Sequence, residues 1–181
     1  MCAELADLVQ VGASFAQAYA PVLEFEGWRV AMLRYNEAVG PTNFTRVERH
    51  WKTNEVFILT AGAADLIILD SSDEDRDKDV PVRYFVEHMR PSVAYNVGQS
   101  VWHHVVMTQD AHIVLIEKAD TALETSNYWD LPSELAREIA GCRRPLLVLV
   151  LAFRVDARNV LLDQPILFLL LRRRLVVCWS Q

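Results

Sequence analysis

The chain has 181 residues, of which 52% are hydrophobic, so it is long and apolar enough for one domain with a buried core. A net charge of −6 argues against binding to a phosphate backbone as the main task, because that task needs a basic surface. No basic and apolar leader opens the chain, and Cys2, Cys142 and Cys178 have no paired spacing. We therefore expect reduced thiols and a cytoplasmic protein.

The first half of the chain predicts a short lead-in followed by strands. Residues 1–26 form the lead-in, with a weak helical pattern in residues 5–20. Strands are expected in "GWRVAMLRYN" and "PTNFTRVERHW" because apolar and polar residues alternate there. "EVFILTAG" and "ADLIILD" are interpreted as a hairpin around Gly62.

The second half continues the strand pattern. "SSDEDRDKD", residues 71–79, predicts a solvated loop, and "VRYFVEHM" predicts a strand. Three more short strands are expected between Pro91 and Ala119, and "DLPSELAREIA" predicts a short helix capped by Asp130 or Ser133. Many short strands with few helices indicate an all-β barrel or sandwich, which we assign to residues 27–131.

Residues 132–181 are predicted to form that short helix and an atypical apolar and basic C-terminal extension. From residue 141 onward the chain carries seven Arg, no Lys and two Asp. The longest runs without charge, 145–153 and 164–171, are about half of the ~20 residues that a membrane-spanning helix needs. The extension could add elements to the domain surface, lie outside the domain, or rest on a membrane or partner. We do not expect membrane contact through it.

The stretch "RVERHWKTNEVFILTAG" suggests half of a metal site. Residues two apart on a strand share a face, so Glu48 and His50 are expected to project together. If "WKTN" forms a turn, Glu55 opens the paired strand and meets them across the ladder. The alternative is a plain hairpin end, in which His50 closes the turn and Glu55 is a surface residue beside Lys52.

The stretch "SVWHH" supplies two further imidazoles. His103 and His104 must point to opposite faces, so one of them can enter a barrel. His50, Glu55 and His103 would give two imidazoles and a carboxylate, a set that suits a divalent transition metal. Glu48 would be a fourth ligand or a general base beside the metal. In the alternative, His103 is a hydrogen-bonded core histidine and His104 is structural or exposed.

The region from Trp28 to Leu131 resembles the cupin superfamily of small double-stranded β-helix barrels. The first cupin motif is G-x5-H-x-H-x3–4-E-x6-G, in which His50, Glu55 and Gly62 take the places of the second histidine, the glutamate and the closing glycine. Glu48 stands at the first histidine, and the opening glycine is missing. In the second motif, G-x5-P-x-G-x2-H-x3-N, His103 takes the histidine's place while the other positions differ.

"VWHH" is similar to a signature of ureidoglycolate lyase-type cupins, which cleave a carbon–nitrogen bond to give glyoxylate and urea. The resemblance implies a cupin jelly roll with short flanking helices, a small-molecule ligand in the barrel and a homodimer. It also implies a divalent ion such as zinc, manganese, iron or nickel, held by Glu48, His50, Glu55 and His103. Proton transfer would fall to Glu48 and His103. The alternatives are a non-catalytic module that binds a small metabolite or sugar, and a barrel kept for assembly. No nucleic acid is expected as partner.

Overall fold

The structure is a computed structural model and describes residues 8–71 and 82–143. Within these ranges the chain forms ten strands and one α-helix. The strands are β1 Tyr19–Phe25, β2 Trp28–Arg34, β3 Arg46–His50, β4 Glu55–Ala61, β5 Ala64–Asp70, β6 Arg83–His88, β7 Ala94–Val97, β8 Trp102–Met107, β9 His112–Lys118 and β10 Ser126–Asp130. The helix α1 spans Ser133–Cys142, and short 3-10 helices span Glu37–Val39 and Leu123–Thr125.

The strands form two antiparallel five-stranded sheets. One sheet has the order β1-β2-β9-β4-β7, and the other has the order β10-β3-β8-β5-β6. The chain passes from one sheet to the other between β3 and β4 and again between β4 and β5. This two-sheet jelly roll confirms the predicted all-β fold class.

Both predicted hairpins are wrong. β4 pairs with β7 and β9, whereas β5 pairs with β6 and β8, so neither β3–β4 nor β4–β5 forms a ladder. Gly62 has φ +68°, and the next residue, Ala63, is held by Thr108 at 2.9 Å and 3.0 Å. The bend at Gly62 therefore turns the chain across the barrel instead of back along the same sheet. A tight glycine bend has the same local sequence pattern in both cases.

Alternation along each strand divides the core into two layers. Val105 and Met107 face the interior between the sheets, where they join inward side chains of both sheets. Trp102 and Val106 face the outer side of the second sheet, where α1 covers them with Ala136 and Ile139. The interior layer is the one that reaches the candidate site.

The ends of the described chain differ from the sequence prediction. Residues 8–18 contain no helix, and β1 lies inside the segment interpreted as a lead-in, where it pairs with β2. The predicted helix is confirmed, but it begins after Pro132 with no side-chain cap. The acidic loop from residue 72 and the extension beyond residue 143 lie outside the described residues. Across the parts that are described, none of the helices combines the length and apolarity required to span a membrane.

Candidate metal centre

Glu48 and His50 project from β3 into the space between the sheets. Their neighbours Val47 and Arg49 lie on the opposite face, where Val47 packs beneath α1. His50 is 7% exposed, and Glu48 is partly buried. The predicted shared face of Glu48 and His50 is confirmed, and the strand's period of two explains it.

His103 and His104 point to opposite faces of β8, as predicted. His103 is 2% exposed and faces the interior, with its ring 5.7 Å from the ring of Phe57. The ring of His104 lies 5.4 Å from that of Phe44 on the other side. Burial, aided by the charge of His103, lowers the pKa of His104 to about 4, so His104 is neutral at pH 7.

Glu55 joins the two inward histidines. It begins β4 in the opposite sheet and is 6% exposed. Its Oε2 lies 2.9 Å from Nε2 of His103 and 3.2 Å from Nε2 of His50. The predicted proximity of Glu55 to His50 is therefore correct, but the route is different. Glu55 reaches the histidines across the barrel interior and not across a hairpin ladder.

The other nitrogen of each imidazole is already committed. Nδ1 of His103 donates to the carbonyl of Val101 at 2.8 Å. Nδ1 of His50 lies 2.8 Å from Oγ of Ser126, whose hydroxyl donates to the carbonyl of Ala122 at 2.8 Å. The Ser126 oxygen must therefore accept from His50. Both rings carry their proton on Nδ1, which leaves both Nε2 atoms directed at Glu55.

The lone pair of an unprotonated Nε2 repels a carboxylate oxygen. Nε2 atoms can therefore lie this close to Glu55 only if a proton or a metal ion lies between them. Without a metal, a proton on Nε2 of His103 supplies the positive charge, held there by the hydrogen bond to Glu55 at 2.9 Å. Burial would raise the pKa of Glu55, but hydrogen bonds from His103 and His50 outweigh it and lower that pKa to about 2. Burial would lower the pKa of His103, but the hydrogen bond and the charge of Glu55 raise it. The shifts describe an ion pair that a metal ion could replace.

Glu48 faces the same space from β3. Its Cα is paired with that of His103, and Tyr128 of β10 interacts with its carboxylate. Burial is the main cause of a raised pKa for Glu48, and the negative charge of Glu55 adds to it. Glu48 therefore holds a proton more readily than an ordinary glutamate.

A fifth donor, Glu117, comes from β9 and was not among the predicted site residues. It is 3% exposed and follows the inward residues Ile113 and Leu115 at alternate positions. Tyr19 donates a hydrogen bond to its Oε1. The sequence did show a glutamate at the same alternate positions as the apolar residues of its strand. It did not show which strand lies next to β9, and therefore which residues Glu117 meets.

These five residues contain two overlapping sets of three donors among the described residues. Ligand atoms of Glu48, His50 and His103 all lie within 4.8 Å of one another, and so do those of His50, Glu55 and Glu117. Each Nδ1 proton is bound to an oxygen, as it is in metal-ligating histidines, whose second nitrogen is usually anchored. The donor chemistry fits a divalent transition metal.

The donors open into a cavity of about 510 Å³ between the sheets. Among its described lining residues, Arg29 is the sole lysine or arginine. Its guanidinium is already engaged, with Oε1 of Glu24 at 2.9 Å and the carbonyl of Ala119 at 2.5 Å. The volume suits a small molecule. Because Arg29 is engaged, a metal ion would be the positive charge available to an anionic group on that molecule.

A scan of protein-family models gave no match to the chain, and a search of curated proteins also gave none. Solved structures do resemble it in fold. A variant of Streptomyces PAC13 with uridine has a TM-score of 0.42 at 11% identity, over 62% of this chain and 76% of that one.

Two further structures are similar at the same level. A putative mannose-6-phosphate isomerase from Ralstonia eutropha has a TM-score of 0.40 at 20% identity, over 67% of this chain and 99% of that one. A mutant of the 3,4-ketoisomerase QdtA from Thermoanaerobacterium thermosaccharolyticum has a TM-score of 0.41 at 19% identity, over 64% and 73%. Likeness at this level indicates neither a substrate nor a reaction, so function has to be argued from the site.

Proposed function

We propose that the protein is a cupin-type, metal-dependent enzyme acting on a small molecule. The supporting observation is the convergence of Nε2 of His50 and Nε2 of His103 on Oε2 of Glu55, with both Nδ1 protons committed elsewhere. These three residues would hold the metal. Glu48 would be the fourth ligand or the proton-handling group beside it.

A bound divalent ion would supply Lewis acidity at the floor of the cavity, which polarises a substrate carbonyl or hydroxyl. The protein's own groups would move protons. Glu48 is the suited acceptor, because it lines the cavity and its raised pKa lies nearer neutrality than that of Glu55. The apolar wall formed by Leu33, Phe57 and Leu115 would limit the access of water.

The finer proposal is a carbon–nitrogen lyase of the ureidoglycolate type. The carbinol hydroxyl of the substrate loses its proton to Glu48, the carbon–nitrogen bond breaks, and the departing urea nitrogen takes up a proton. The products are glyoxylate and urea, and no oxidant or further reactant is needed. Because Arg29 is engaged, the substrate carboxylate would have to bind at the metal.

The experiment is metal analysis followed by a product assay. Purified protein should carry a divalent transition metal, and the metal-loaded protein should convert ureidoglycolate to glyoxylate and urea, seen by NMR. Glu48→Gln keeps the shape of the side chain and should abolish turnover. A protein that binds no metal contradicts the metal-dependent enzyme.

Metal binding without turnover of ureidoglycolate contradicts the lyase proposal alone. A ligand that raises the melting temperature but is recovered unchanged would instead favour the non-catalytic binding module. The predicted homodimer remains a proposal, and light scattering of the full chain tests it.

A further inference from the structure

Glu55 and Glu117 are two buried carboxylates on adjacent strands. The antiparallel register pairs Val56 of β4 with Ile116 of β9, and its continuation by one residue places Glu55 beside Glu117. They are 6% and 3% exposed. Like charges directly opposite on neighbouring strands are destabilising, and burial increases the cost. This pair therefore requires a cation or a proton.

Glu117 is held in position from the rim of the cavity. Tyr19 of β1 donates to its Oε1, and Nη1 of Arg29 lies 3.9 Å from the same oxygen. The next residue, Lys118, donates its backbone N–H to Oγ1 of Thr53 at 3.1 Å, which ties the end of β9 to the loop before β4. Since Arg29 is also bound to Glu24, it does not neutralise the two buried glutamates by itself.

Glu48 and Glu117 compete for the fourth place at the metal, and they differ in setting. Glu48 is partly buried, lines both this cavity and an adjoining one of about 410 Å³, and neighbours the exposed Tyr128. Glu117 is 3% exposed, lies beside Glu55 and lines only the first of these cavities. Its ligand atom lies within 4.8 Å of those of His50 and Glu55. The carboxylates of Glu48 and Glu117 each belong to a set of possible ligands, but the opening of Glu48 toward a second cavity suits contact with a substrate, whereas the burial of Glu117 beside Glu55 suits contact with an ion.

Resting on the proposed metal centre, we propose that Glu117 is a metal ligand in the set of donors that it forms with His50 and Glu55, beside His103, while Glu48 stays free of the metal. Glu117 would thus replace, as metal ligand, the first histidine of the cupin motif, where this chain has Glu48. Glu117 lies on β9, which belongs to neither of the two sequence motifs. A centre with two carboxylates, Glu55 and Glu117, favours a harder ion such as manganese more than an all-imidazole centre does.

The test compares Glu117→Gln with Glu48→Gln in the full chain, using titration with Mn²⁺ and the absorption spectrum of bound Co²⁺. Glu117→Gln should weaken Mn²⁺ binding at least about tenfold and alter the Co²⁺ spectrum. Glu48→Gln should keep both close to wild type. Tyr19→Phe should weaken binding by less than Glu117→Gln does. Glu24→Gln, the exposed partner of the same Arg29, is the matched control and should leave binding unchanged.

Loss of affinity in Glu48→Gln that equals or exceeds the loss in Glu117→Gln overturns the proposal. Unchanged binding in Glu117→Gln overturns it as well. If circular dichroism shows that Glu117→Gln does not fold, Glu117→Asp replaces it, because aspartate keeps the charge. Glu117→Asp should bind Mn²⁺ more weakly and alter the Co²⁺ spectrum. A Co²⁺ spectrum identical to that of the wild type overturns the proposal. A wild-type protein that binds neither ion contradicts the metal centre itself, which is a separate result.

Discussion

Glu48 of β3 and His103 of β8 lie directly opposite each other. In the described part of the chain they are the one pair of residues in the ladder between β3 and β8. By contrast, β3 is paired with β10 along all of its length, from Arg46 to His50. The second sheet is therefore most weakly paired where the candidate site lies. Side chains there have room to face a cavity instead of packing against a neighbouring strand.

The double variant His50→Ala and His103→Ala should remove the metal, because both Nε2 donors are lost. Elemental analysis of the purified protein would show the loss against a wild type that carries about one ion per chain. His112→Ala is the control, since His112 lies at the far end of β9 and contacts Arg34 of the adjacent β2 at 2.6 Å. Metal retained by the double variant would show that the ion is bound elsewhere.

Ser126→Ala should weaken metal binding by about 10- to 100-fold, the usual effect of removing the partner that orients a ligating histidine. The change removes the acceptor of the Nδ1 proton of His50 and leaves every proposed ligand in place. Competition with a chelator measures the affinity. Ser133→Ala, on the exposed first turn of α1, should have no effect, and equal affinities in the two variants would contradict the role of Ser126.

The metal-free protein should be most stable in mildly acid solution. The pKa of Glu55 is lowered from 4.5 to about 2, so its contribution is complete above pH 4.5 and is lost as the pH falls through about 2. The pKa of His103 is raised above 6.5, so its contribution is complete below pH 6.5 and is lost as the pH rises through the raised value. Urea unfolding of chelator-treated protein should give a maximum between these limits.

The same ion pair provides the control for the pH profile. Glu55→Gln removes the carboxylate that shifts both groups, so the maximum should flatten and the stability near pH 5.5 should fall by a few kcal/mol. Saturation with metal should move the optimum to higher pH, because the ion competes with protons for the imidazoles. A metal-free profile that keeps rising from pH 6 to 9 would contradict the assigned pairing.

Gly62→Ala should destabilise the fold by about 2 kcal/mol or more. Its φ of +68° is unfavourable for a side chain, and an added Cβ would lie 2.5 Å from the backbone of Ala111. Gly27→Ala is matched to it, since Gly27 has φ +82° but open space around the added atom. Gly27→Ala should therefore cost less in urea unfolding, and an equal cost would mean that the contact with Ala111 has no effect.

The sequence was informative wherever a local period decides the structure. Alternation placed Glu48 with His50 on one face and separated His103 from His104, because neighbouring positions on a strand point to opposite sides. The same period identified most strands. Glu55 was expected beside His50 from a predicted hairpin, and the cupin motif grouped it with His50 and His103; no local pattern links it to His103.

The prediction failed where the partner of a strand had to be known. β3 and β4 were assigned to one hairpin because they are adjacent in the chain, yet they lie in opposite sheets. Glu117 was not assigned to the site for the same reason, since only the β4–β9 pairing places it beside Glu55. β10, which supplies Ser126, was not predicted, because "SNYWD" is short and polar.

The hydrogen bond from His50 to Ser126 spans 76 positions of the chain, the contact of Glu55 with His103 spans 48, and the contact of Tyr19 with Glu117 spans 98. Such distant partners meet only after the barrel has closed, and loops of that length make closure slow. The site should therefore be one of the last parts of the protein to form. A metal ion that needs all of these contacts would bind the finished fold and not its intermediates, so it should slow unfolding without speeding folding.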